Sequence, residues 1–70
     1  MTLEEFKKDI FDNINTLPEN WRKGQKVFNY INFNYHVARK VQYDYNIDCF
    51  YDNQQIDSFI RAAYKELYHS

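Results

Sequence analysis

The chain has 70 residues, a length that suits one domain and leaves no room for a second lobe. With 44% hydrophobic residues, 20% aromatic residues and only one Gly and one Pro, it is too apolar and too poor in breakers to stay disordered. Nine Lys and Arg against ten Asp and Glu give a net charge of −1, which excludes a general electrostatic pull onto nucleic acid or an acidic membrane and makes any anion site local.

Leu3, Phe6, Ile10, Ile14 and Leu17 recur at steps of three and four, the stripe of an amphipathic helix predicted over about residues 3 to 15. Thr2 and Glu5 have the spacing of a capping box. Pro18 cannot continue the helix, so Thr16 to Asn20 is expected to turn. Asn20 is a suitable N-cap for a second helix, in which Gly24, Val27, Phe28, Ile31, Tyr35 and Ala38 follow at helical spacing. Asn29, Asn32 and Asn34 are poor helix formers because their amides compete for the backbone, which predicts a break near Asn34 and a short third helix over His36 to Gln42. From Tyr43 to Tyr51 polar and apolar residues alternate, as in an extended connector with one side on the core. Asp52 and Gln55 then cap a last helix with a stripe of Ile56, Phe59, Ile60, Ala63 and Leu67. The expected fold is all-α: a small bundle of three or four helices, residues 1 to 70, with one short extended connection.

Apolar residues come in runs far too short for a membrane span or a signal-peptide core, which predicts a soluble, unexported protein. A lone cysteine, Cys49, cannot form an internal disulfide and fits a reducing cytoplasm. His36 and His69 stand apart, no metal-ligand or nucleophile spacing is present, and neither an enzyme nor a cofactor is expected. Asp48 and Asp52 flank Cys49, Phe50 and Tyr51, but a metal or acid–base site would need further converging ligands; a cap at Asp52, a core ring at Phe50 and a small buried side chain at Cys49 suffice.

Two clusters are candidates for binding. If the second helix starts at Asn20, then Arg22, Lys23 and Lys26 place three cations where the helix dipole is already positive, each disfavoured by about 0.3–1 kcal/mol. An external anion could offset this, with Trp21 stacking on a base; alternatively Glu19 and one or more of Asp44, Asp48 and Asp52 fold back onto the cations while Trp21 staples the start of the helix to the core. Gly24, inside the helix, implies a close backbone approach, expected from the first or the last helix. The second cluster is Arg61, Tyr64 and Tyr68, which share a face of the last helix with Asp57 beside its core stripe. Exposed Tyr and Arg are the composition of protein interfaces, although Tyr also rims small cores with its hydroxyl in water.

At Trp21-Arg22-x-Gly24-Gln25-x-x-Phe28-Asn29, at Ala38-Arg39 and at Asp48-x-Phe50-Tyr51-Asp52-x-x-x-Ile56-x-x-Phe59, the chain resembles a family of short uncharacterised proteins of bacteria and their phages, over about residues 18 to 60. The resemblance implies a setting, the cytoplasm of a bacterial host cell, and no mechanism. Members often carry proline where this chain has Cys49, which argues against a role for the thiol. Occurrence in phages implies host takeover or the blocking of a defence system. The expected function is therefore a non-enzymatic binding protein. Trp21, Arg22, Lys23 and Lys26 would contact an acidic host protein, and Arg61, Tyr64 and Tyr68 would form an oligomer or partner face. An oligomeric sponge whose helix-start cations enclose a signalling nucleotide is the first alternative, and an accessory structural domain is the second.

Overall fold

The computed structural model describes residues 1–68, so His69 lies outside the described residues. Thr2 is the first N-cap. Its hydroxyl accepts from the Glu5 amide at 3.1 Å and the Glu5 carboxylate accepts from the Thr2 amide at 2.7 Å, completing the capping box that starts α1 (Leu3–Asn13). The bond from the Thr2 amide holds the Glu5 carboxyl below its ordinary pKa. The helix then tightens into a 3-10 turn, Ile14–Thr16, where Asn15 donates back to the Phe11 carbonyl and the Thr16 hydroxyl to that of Asn13.

The second helix starts later than its sequence suggests. Pro18 nucleates a turn in which its carbonyl accepts from the Trp21 amide at 3.1 Å, and α2 (Lys23–Tyr35) takes Arg22, not Asn20, as its N-cap. It also ends later. The Asn34 amide donates to the Tyr30 carbonyl at 2.9 Å, a bond compatible with helix, so the break falls at His36, which adopts the left-handed conformation with φ 61°. The last residue of α2 explains the extension: the Tyr35 ring packs edge-on against Phe6 at 4.9 Å and its hydroxyl reaches Asp9. The third helix, α3 (Ala38–Asp44), is displaced by two residues from the expected span. The connection expected over Tyr43 to Tyr51 is shorter and less extended at its start, because Tyr43 and Asp44 belong to α3, Tyr45 is still in the right-handed helical region and Asn46 is left-handed with φ 55°. This connector, residues 45–52, leads into a 3-10 turn (Asn53–Gln55) capped by Asp52 and then α4 (Ile56–Tyr68).

Helix α1 packs on α2 and α4, α3 packs on the same two, and α2 also touches α4. Phe6, Ile10, Val27, Ile31, Val41, Cys49, Phe59 and Ile60 are each 0% exposed. Burial of a side chain of the Val, Ile or Phe size is worth about 1.5–3 kcal/mol, so these stripes supply the stability that a chain with a lone thiol must find in packing. The radius of gyration, 10.9 Å, is close to the roughly 11 Å expected of a folded chain of this length. No strand occurs among the described residues, and no described helix is long and apolar enough to cross a membrane.

Candidate functional site

The start of α2 is built by the connector. Gly24 lies against it so closely that a Cβ there would stand 1.9 Å from the Cys49 carbonyl oxygen and 2.9 Å from Asn53 Oδ1. The approaching partner is therefore neither the first nor the last helix. Asn53 Oδ1 accepts from the Gly24 amide at 2.9 Å and the Cys49 thiol donates to the Gly24 carbonyl at 3.3 Å, so one of the free amides of the α2 N-terminus is satisfied by a side chain 29 positions away.

The cations here do not meet the carboxylates proposed for them. Among the described residues, Arg22, Lys23 and Lys26 make no ion pair with Glu19, Asp44, Asp48 or Asp52. Asp48 accepts instead from the Phe50 amide at 2.8 Å, and Asp52 from the Gln54 amide at 2.9 Å and the Gln55 side chain at 3.1 Å. Short Asx-type bonds turn these two acids toward their own neighbours. Two of the three lie on rings: the Arg22 guanidinium is 5.3 Å from the centre of Tyr51, and Lys23 Nζ is 5.3 Å from the centre of Phe11, while Lys26 meets no ring among the described residues. Arg22 Nε and Nη2 also approach the Phe50 carbonyl at 3.4 Å. Trp21 is half-buried and is not among the side chains packed against the core, so it does not act as the staple.

Beyond Arg22 the surface opens into a cleft of about 210 Å³ lined by Phe28 of α2, Arg39 and Gln42 of α3, and Phe50 and Tyr51 of the connector. Phe28 and Phe50 meet edge-on at 5.5 Å, and Phe28 rests on Phe59 at 5.4 Å, so this floor is continuous with the core. Tyr51 is 73% exposed. Arg39 has no ion-pair or hydrogen-bond partner among the described residues. The cleft as such is not visible in the sequence, because its residues come from three separated segments.

The α4 face has internal partners. Arg61 donates to Asp57 at 2.8 Å, Lys7 pairs with the same carboxylate at 3.3 Å, and the Arg61 bond holds the Asp57 carboxyl below its ordinary range. Tyr64 donates to the Met1 carbonyl at 2.6 Å and stacks on Tyr68 at 4.9 Å, while the Tyr68 hydroxyl contacts Met1 Sδ at 3.7 Å. This face fastens the N-terminus to α4, on different elements from those that form the cleft. Comparison with protein-family models, with curated proteins and with solved structures returns no match for this chain, so its chemistry rests on the geometry above.

Proposed function

We propose that this chain is a small, non-enzymatic binding protein that docks on an acidic surface of a bacterial host protein, in the phage setting that the family resemblance implies. The observation that carries the reading is an uneven distribution of charge partners. Lys7, Lys8, Lys40 and Arg61 are each within 4.0 Å of a carboxylate, whereas five cations have no such partner among the described residues: Lys65 stands alone near the end of α4, and Arg22, Lys23, Lys26 and Arg39 belong to α2, its N-cap and α3. Arg22, laid on the exposed ring of Tyr51, keeps its charge available, and Arg beside Tyr is the composition of interface hot spots. Size is no obstacle, since specific binding needs only about 800 Å² per partner.

The test is affinity capture from the bacterial host with the complex identified by native mass spectrometry. The wild-type chain should retain a protein partner, and Arg22→Ala/Lys23→Ala should lose it while keeping its helical circular dichroism. A folded double variant that retains the partner, or a wild-type chain that carries only a nucleotide, would sink the reading.

A further inference from the structure

We infer that the cleft between α2, α3 and the connector is a recognition pocket for one apolar or aromatic side chain carried on an acidic peptide segment. The inference deepens the binding reading above, and rests on it, by naming what the partner presents. The floor is the Phe28–Phe50 pair and one wall is the exposed ring of Tyr51, a rigid surface that gains contact area at little entropic cost. At about 210 Å³ the cleft is smaller than the roughly 300–1,000 Å³ of cofactor and drug-sized pockets. It holds one ring or branched side chain, not a nucleotide with its sugar and phosphates.

The rim selects what flanks that side chain. Arg39 and Gln42, at i and i+3, project from one side of α3, and neither has a hydrogen-bond partner among the described residues. The Gln42 amide offers a donor and an acceptor together, the complement of a peptide group, and the Arg39 fork matches a carboxylate. Arg22, over Tyr51, directs Nε and Nη2 at the Phe50 carbonyl, which leaves its Nη1 edge without a partner among the described residues. An acidic segment with a ring engages the floor and both guanidinium groups at once. A neutral apolar peptide would leave the guanidinium groups unused, and an acidic peptide without a ring would leave the floor in water.

The test uses the full chain, isotope-labelled for amide NMR, titrated with the capped peptide Glu-Glu-Phe-Glu-Glu and with two comparators, one with Ala in place of Phe and one with Lys in place of every Glu. Shifts should cluster at Phe28, Gln42, Phe50 and Tyr51. The Ala peptide should bind about tenfold more weakly, and Arg39→Gln or Arg22→Gln should each cost about three- to tenfold, less at high salt. Arg39→Glu, at an exposed position, should shift the preference toward the Lys-flanked peptide. Equal binding of the Ala peptide, shifts clustered elsewhere, or the same shifts produced by a nucleoside monophosphate instead of a peptide would overturn the inference. So would a captured host partner that binds Arg39→Glu with the affinity of the wild type and is lost with Arg22→Ala/Lys23→Ala, and that outcome leaves the broader binding reading standing.

Discussion

At Gly24 one hydrogen atom decides whether the connector can dock. Ala is the better helix former by about 1 kcal/mol, so on propensity alone Gly24→Ala would stabilise. Its Cβ, however, would stand 1.9 Å from a backbone oxygen, which cannot rotate away as a flexible side chain would. Relieving that clash means lifting the connector from α2, and we expect Gly24→Ala to lose about 2–3 kcal/mol net, as overpacked sites do. Urea unfolding checks this: the midpoint should fall with the slope unchanged, and a variant as stable as the wild type would refute the approach. Cys49 shares the contact. Burial, aided by the Asp48 charge, pushes its thiol up to about 12, so it packs as a small neutral side chain. A lone Gly in a helical stripe made the close approach legible in the sequence, but not its partner. Helical periodicity says which side of a helix turns inward and is silent on what covers it.

Element starts and ends show where local signals yield to tertiary ones. The start of α1 follows from a cap within three residues, Thr2 with Glu5, which was legible; Asp52 with Gln55 was legible as a cap too, but it caps the 3-10 turn Asn53–Gln55 that leads into α4 and not the helix itself. For α2 the local cap, Asn20, is bypassed. The first turn of this helix holds Lys23 and Lys26 with no acid, a pattern that costs about 0.3–1 kcal/mol per cation, and the Arg22 side chain makes no capping bond. Asn53, reaching across from the turn before α4, supplies the missing acceptor. We therefore predict that Asn53→Ala destabilises by about 1–2 kcal/mol and speeds amide exchange at Gly24, as the loss of a local cap would. Asn53→Asp keeps the acceptor and adds a negative charge beside the cations, and should hold or raise stability. If Asn53→Ala were neutral, the α2 start would have to be held by the Pro18 turn alone. The cleft belongs to the same class of feature. Arg39 and Gln42 look like ordinary helix surface until the connector brings Phe50 and Tyr51 beside them.

Across the whole molecule, polar ties at the rim hold the helices in register around the apolar core. Lys7 and Asp57 join α1 to α4, and Lys40 and Tyr45 converge on Glu66 from α3 and its C-cap at 2.5 and 3.1 Å. Asp9 of α1 accepts from both Tyr30 and Tyr35 of α2, at 2.9 and 2.5 Å. These ties give stability opposite dependences at the two ends of the pH scale. The Lys40 hydrogen bond holds the Glu66 carboxyl below its ordinary 4.5, so its contribution is present above that pH and is lost as the solution is acidified. On the alkaline side, burial, with the Asp9 hydrogen bond and charge adding to it, pushes Tyr30 from 10.0 up to about 12, and Tyr35 is raised by the same causes. A folded pKa above the unfolded one means that the native state keeps its proton longer. The contribution is complete below pH 10.0 and is lost as the pH climbs toward about 12, because the unfolded chain ionises first. We expect the wild-type urea midpoint to fall over that interval. Tyr30→Phe should start about 1 kcal/mol lower at neutral pH, having lost one bond to a carboxylate, and should then decline less steeply. Titration of tyrosine absorbance should show late-ionising residues in the wild type, Tyr30 and Tyr35 among them, and one fewer in Tyr30→Phe. Identical alkaline slopes in the two proteins would place the late-ionising hydroxyls elsewhere and would remove Asp9 as the link between α1 and α2.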